Sequence, residues 1–227
     1  MIVFQNVTKK FGKLNEALKK ISFSIDKGEF IFLIGPSGAG KTTLLKLLLG
    51  DLKSSGGKIL IDGQEISKLQ GIKIARLRRK IRMIFQDFKI LFDRTILENV
   101  SLSLHILGVK SKEAESEAYK MLKLVGLDGR ENYFPIQISA GELQRVAIAR
   151  ALAGSPIILL ADEPTGNLDP KTGGEILDLL EKINKEGTTV IVATHNASLV
   201  DSRKKRIVAL FKGEIKRDEK EGKYDPS

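Results

Sequence analysis

Residues 35–42 carry the most specific chemistry in the chain. Gly35-Pro36-Ser37-Gly38-Ala39-Gly40-Lys41-Thr42 fits the pattern G-x-x-x-x-G-K-[ST] at every position. Glycines at such spacing let the main chain wrap around phosphate oxygens and turn its N–H groups toward them. A helix that starts near Lys41 adds the positive end of its dipole. The pattern predicts that Lys41 reaches the β- and γ-phosphates of a nucleotide and that the Thr42 hydroxyl binds Mg²⁺. A glycine-rich turn that binds nothing is the plainer alternative. The buried strand before the loop and the helix after it count against that alternative.

A phosphate loop needs an acid at the end of a second buried strand. Ile157-Ile158-Leu159-Leu160-Ala161-Asp162-Glu163 supplies one. Asp162 is the candidate for the metal, and Glu163 for the general base that polarises an attacking water. Read as the polar end of a core strand, the two adjacent carboxylates would repel each other, so a nearby cation is the simpler account. Gln86 follows the apolar stretch Ile81 to Phe85, and His195 closes the apolar strand Val190 to Ala193. Taken singly, each of these two is more often structural than catalytic.

Elements must bring these residues together. Phe30-Ile31-Phe32-Leu33-Ile34 is a continuous apolar run, the mark of a strand buried on both faces of a parallel sheet. Ile2, Phe4 and Val7, then Ile21, Phe23 and Ile25, alternate as half-buried strands do. Further strands are expected at Lys58 to Asp62, Ile81 to Phe85, Ile157 to Leu160, Thr189 to Ala193 and Ile207 to Phe211. Helical patterns fall at Lys41 to Leu49, Gly174 to Lys185 and Ala197 to Asp201. Asp169 before Pro170 is a good helix start, since aspartate caps and proline is tolerated at the first helical position. From about Phe92 to Ala153 helical patterns prevail (Ile96 to Leu107, Glu113 to Val125, Glu142 to Leu152). Strand–helix alternation on both sides of that block predicts an α/β fold with an α-helical insertion. The charged stretch 218–227 lacks apolar residues apart from Tyr224 and is expected to be a frayed tail.

The chain has 227 residues, enough for one sizeable core with an insertion but hardly for two domains. It has no cysteine, which excludes disulfides, thiol nucleophiles and thiolate zinc sites. Its two histidines, His105 and His195, stand far apart, which disfavours a histidine-rich metal centre. Apolar runs stay near five residues, far short of the roughly 20 of a membrane helix. The first residues lack the basic and apolar regions of a signal peptide, so a cytoplasmic location is expected.

Ile138-Ser139-Ala140-Gly141-Glu142-Leu143-Gln144-Arg145 resembles the Leu-Ser-Gly-Gly-Gln signature of ABC-type ATPases. By itself it is a helix start, because Ser139 and Glu142 form a capping box. The order phosphate loop, Gln86, Ser139 signature, Asp162-Glu163, Asn167-Leu168-Asp169 and His195 is similar to that family over roughly residues 1 to 215. The resemblance implies a phosphate-loop NTPase fold: a mainly parallel central sheet, an antiparallel β subdomain, and an α-helical subdomain at about 92–153 inserted into one domain spanning 1–217. It implies an ATPase with ATP and Mg²⁺ as its ligands. Phe11 would stack on adenine; its alternative is a strand core residue. Thr43 joins residues 35–42 in holding the nucleotide, and Gln86 would contact Mg²⁺ and the attacking water. His195 would contact the γ-phosphate and hold Glu163. The family's ATP is sandwiched between two copies, so Ser139 and Gly141 would act on the nucleotide of a second copy. Ala140 departs from the signature's first glycine, which predicts weaker engagement across that interface.

Within the family, Gly28 to Lys41, Phe85-Gln86-Asp87-Phe88 with Asp93-Arg94-Thr95, and Ala161 to Pro170 are similar to the FtsE-type cell-division ATPases. These work with an integral membrane subunit of the FtsX type that regulates cell-wall hydrolases. Lipoprotein-release and macrolide-export ATPases share the last stretch and form the alternative. The resemblance therefore implies a second copy of the chain and a membrane subunit as partners, with a peripheral place at the inner membrane face. The net charge of +10 gathers at Arg76, Arg78, Arg79, Lys80 and Arg82, and at Arg203-Lys204-Lys205-Arg206. Solvated faces are the first reading of these clusters. Attraction to an anionic membrane surface is the second, at about 1 kcal/mol per well-placed charge. A DNA-acting ABC ATPase would also be basic. It usually carries long coiled coils, and no sustained heptad pattern occurs here, so nucleic acid is not an expected partner.

Overall fold

A computed structural model describes residues 1–12 and 15–225. Strands β1 (Ile2–Phe11) and β2 (Asn15–Ile25) lead to β3 (Phe30–Ile34) and helix α1 (Lys41–Leu48). Then come β4 (Gly56–Ile61), β5 (Gln64–Glu65), α2 (Ile72–Lys80) and β6 (Ile81–Ile84). Helices α3 (Ile96–Ile106), α4 (Ser111–Leu124) and α5 (Ala140–Leu152) form the insertion. The α/β pattern resumes with β7 (Ile158–Asp162), α6 (Pro170–Lys185), β8 (Thr189–Thr194), α7 (Ala197–Asp201), β9 (Arg206–Phe211) and β10 (Glu214–Glu219).

The central sheet has the order β10-β9-β3-β8-β7-β6. Every pair in it is parallel except β10 against β9. The second sheet, β2-β1-β4-β5, is antiparallel throughout. The two sides of β3 feed two apolar layers, as the period of a strand requires. Phe30, Phe32 and Ile34 face a layer built from α3 to α7, while Ile31 and Leu33 face α1 and the antiparallel sheet. β7 and β8 divide in the same way, Leu159 and Val190 to the first layer, Leu160 and Ile191 to the second. Each such side chain contributes roughly 1.5–3 kcal/mol by leaving water. In the insertion, Ile96, Val100 and Leu104 on α3 and Ala114, Ala118 and Leu122 on α4 repeat every four residues, giving each helix one buried stripe.

Helix α2 carries no apolar stripe in the sequence, because Leu77 is its only buried residue and its N-terminal Gly71 offers no side-chain cap. The expected boundary of a flexible tail at 218 needs correction, since β10 runs to Glu219. Arg206 donates from Nε and Nη2 to Asp218 (2.7 Å each) and from Nη1 to Glu29, which carries β10 on to Glu219. Beyond it Gly222 is buried, and the Tyr224 N–H donates to Asp201. Residues 226 and 227 lie outside the described residues.

Candidate nucleotide site

In a parallel α/β sheet ligands gather at the carboxyl ends of the strands. The loops that leave β3, β6, β7 and β8 do so here. They bring Lys41, Thr42, Gln86, Asp162, Glu163 and His195 to one cavity of about 1050 Å³. Phe11 lines the same cavity at the end of β1, 44 % exposed, with Lys9 Nζ 5.0 Å from its ring centre. Pro36 to Thr43 form its floor.

The loop itself is held by close backbone approaches that only glycine permits. Gly35 has φ of +145°, and a Cβ there would collide with the Leu210 carbonyl oxygen of β9. Gly40 has φ of +109°, and a Cβ there would come within 2.6 Å of the Ala17 carbonyl oxygen. The β9–β10 turn closes the wall, with Gly213 N–H donating to the Ala39 carbonyl at 3.1 Å. Gly35→Ala is therefore expected to destabilise the fold by about 1–3 kcal/mol, the usual range for overpacking. Thermal melting of the variant against wild type checks this.

Lys41 is buried, 7 % exposed. Its Nζ donates to the Gly35 carbonyl at 2.7 Å and to that of Pro36 at 3.2 Å, and lies 3.8 Å from Glu163 Oε1. Burial holds its ammonium below the ordinary lysine range, while Glu163 and Asp162 pull it back up. The Thr42 hydroxyl donates to Asp162 Oδ1 at 3.1 Å. Burial pushes the Asp162 carboxyl up and adjacent Glu163 adds to that; the Thr42 hydrogen bond opposes it.

Glu163 follows β7 in the left-handed region, φ +47°, a conformation that costs a residue with a side chain about 1–3 kcal/mol. Its N–H donates to the Ala193 carbonyl at 2.8 Å, which ties the turn to β8. His195 meets both carboxylate oxygens: Nδ1 is 2.8 Å from Oε1, and its backbone N–H donates to Oε2 at 3.3 Å. Strain and a bidentate grip thus aim one carboxylate at the cavity beside Lys41. Gln86 is braced by the loop after β7, where Asn167 Nδ2 donates to its carbonyl at 3.1 Å.

Ser139 and Gly141 are not among the residues that line this cavity. Ser139 caps α5 as the capping box predicts: it accepts from the Glu142 N–H, and its own N–H and hydroxyl donate to Glu142 Oε2 at 2.8 Å. Ala140 is the first residue of α5. Gly141 packs on α6, where a Cβ would lie 2.6 Å from Thr172 Cγ2. Three further parts of the cavity wall were not among the expected site residues: Ala17 and Lys19 of β2, Lys212 in the β9–β10 turn, and Tyr224. Only Tyr224, a lone aromatic in a charged stretch, carried a signal.

The family profile described as "ABC transporter" matches residues 18–166. The chain belongs to the ABC transporter family. As a member it is an ATPase of the ABC type, with the α/β architecture of the family's cassettes. It is 45% identical over 225 residues to the Mycobacterium tuberculosis protein named "Cell division ATP-binding protein FtsE", covering 99% of this chain and 98% of that one. The Bacillus subtilis protein of the same name is 43% identical, again over 99% and 98%. Among solved structures, the dimeric ATP-binding cassette MJ0796 bound to ADP and Pi is 40% identical. It superposes with a TM-score of 0.87 over 99% of this chain and 100% of that one.

Proposed function

We propose that this ABC ATPase is the energy-converting subunit of an FtsE-type cell-division complex, working as a dimer docked on an integral membrane partner of the FtsX type. The observation that carries the hydrolytic part is the Glu163–His195 pair standing beside Lys41 in one cavity. The cell-division part is supported by likeness to FtsE proteins over nearly the whole chain. Among the described residues no helix is long and apolar enough to cross a membrane, so contact with the bilayer passes through the partner in this reading.

The donor set fits Mg²⁺. Thr42 Oγ1 and Asp162 Oδ1 are hard oxygens 3.1 Å apart, with Gln86 on the same cavity. No group of three or more His, Cys, Asp or Glu among the described residues could hold a metal alone. Mg²⁺ commonly takes its remaining ligands from phosphate and water. Bound there, it would neutralise charge on the β- and γ-phosphate oxygens.

The chain's own residues then divide the work. Phe11 stacks on the base. Lys41 exchanges the carbonyls of Gly35 and Pro36 for β- and γ-phosphate oxygens, and the N–H groups of residues 37–43 surround the rest. Glu163 takes a proton from the water that attacks the γ-phosphorus, yielding ADP and phosphate. His195, with Nδ1 committed to Glu163, presents Nε2 to the γ-phosphate. Ser139 and Gly141 of a second copy close the site, and that closure drives the membrane partner. Affinity purification of the chain from detergent-solubilised membranes is expected to recover an FtsX-type subunit, identified by mass spectrometry. Recovery of a lipoprotein-release or macrolide-export subunit instead would move the chain to that group.

A further inference from the structure

The stretch beyond β10 is attached at three points. At Gly222 a Cβ would lie 2.9 Å from Glu219 Oε2 and 3.1 Å from Ile207 Cδ1, so the chain turns tightly over β9. Arg217 Nη1 donates to the Asp225 carbonyl at 3.0 Å and lies 3.2 Å from its carboxylate. Between them the Tyr224 N–H donates to Asp201 Oδ1, at the last residue of α7. Tyr224 packs against the apolar layer that includes Val200 of α7. It also lines the nucleotide cavity together with Glu163 and His195. Burial, and after it the charge on Glu163, hold the Tyr224 phenol above the usual tyrosine range, in keeping with a place near that carboxylate.

The attachment to α7 matters because of what α7 carries. The helix has five residues and begins two positions after His195, capped by Asn196. So short a helix does not sustain itself and takes its position from tertiary contacts. Leu199 and Val200 pin its middle, and Asp201, held by Tyr224, pins its far end. The His195 side chain is 65 % exposed, and its ring bonds Glu163, so its aim depends on the loop and helix behind it.

We propose that residues 220–225 position the hydrolytic pair: Tyr224 walls the cavity beside Glu163 and, through Asp201 and α7, fixes the loop that carries His195. The proposal rests on Glu163 and His195 acting in hydrolysis as argued above. Tyr224 is a positioning residue in this account, not a catalytic one.

The full-length chain with Mg-ATP provides the test. Tyr224→Ala is expected to lower kcat roughly tenfold, within the hundredfold that a misplacement of about 1 Å can bring. KM for ATP and the melting temperature should barely move. Tyr224→Phe, which keeps the ring, should restore kcat to within about twofold of wild type. Asp201→Ala should lower kcat by a similar factor through the other half of the link. A second measurement avoids turnover altogether. With only two histidines in the chain, ring NMR signals of His195 can be followed against those of His105. Tyr224→Ala should shift or broaden the His195 signals and leave His105 unchanged. Unmoved His195 signals, an unchanged kcat, or a kcat loss matched by equal losses in ATP affinity and melting temperature would each overturn the proposal. Full turnover in Glu163→Gln, assayed alongside, would instead sink the hydrolytic reading while the NMR comparison still judged the link.

Discussion

Lys41→Ala is expected to reduce ATP hydrolysis by about 10²–10³-fold, the range for losing one preorganised charge partner of a transition state. The side chain is buried among carbonyls and carboxylates, with its Nζ 3.8 Å from Glu163 Oε1. Alanine removes the ammonium and leaves the Gly35 and Pro36 carbonyls without that donor. Arginine should rescue poorly, because a planar fork does not fit a pocket shaped for a compact ammonium. Some loss of stability should accompany the change to alanine, since those carbonyls and Glu163 lose their buried partner. Wild-type melting temperature should rise with Mg-ATP by mass action, and that rise should vanish in the variant. Phosphate release and the nucleotide-dependent melting shift are the two measurements. Activity within tenfold of wild type would refute the assignment of Lys41.

Glu163→Gln should stop the cycle at a later point. The amide keeps the shape, the left-handed backbone and a partner for His195, but it cannot take a proton. Turnover should fall by about 10²–10⁴-fold, the usual contribution of a positioned general base. Nucleotide binding should survive, because Lys41 and the loop are untouched. Removing a negative charge that stands 3.8 Å from Lys41 also lessens repulsion toward the γ-phosphate. ATP should therefore accumulate a dimer, visible by size-exclusion chromatography with light scattering. A variant that remains monomeric at high protein and ATP concentration would contradict the sandwich arrangement.

Much of this architecture is written locally. The run Phe30 to Ile34, its glycine-rich successor and the acidic end of β7 are contiguous patterns, and the structure has them as the strand, loop and strand end that those patterns predict. Helix α7 falls at Ala197–Asp201 as its residues indicate. What stayed hidden depends on distant partners. The end of β10, from Asp218, reads as a charged tail until Arg206, in the neighbouring strand, pairs with Asp218. Tyr224 gains a role only through Asp201 and the cavity beside Glu163, contacts that no periodicity reports. Helix α2 hides for the opposite reason: with Leu77 alone buried, no apolar stripe marks it. Within the site, the sequence supplied residue types and order. The bidentate grip of His195 on Glu163, and the strained φ that aims that carboxylate, required the fold.

The capped signature serine bears on reversibility. The Ser139 hydroxyl is engaged with Glu142, whose carboxyl is held below its usual range first by the Ser139 N–H and then by that hydroxyl. Any phosphate oxygen that recruits the hydroxyl must displace a carboxylate already bonded to it. The swap exchanges one charge-assisted hydrogen bond for another, so its net gain is small. In the proposed sandwich dimer, Glu142 reclaims the hydroxyl once the phosphate leaves, without any rearrangement of α5. A latch balanced in this way lets go as readily as it takes hold, which suits a machine that must reset after every nucleotide.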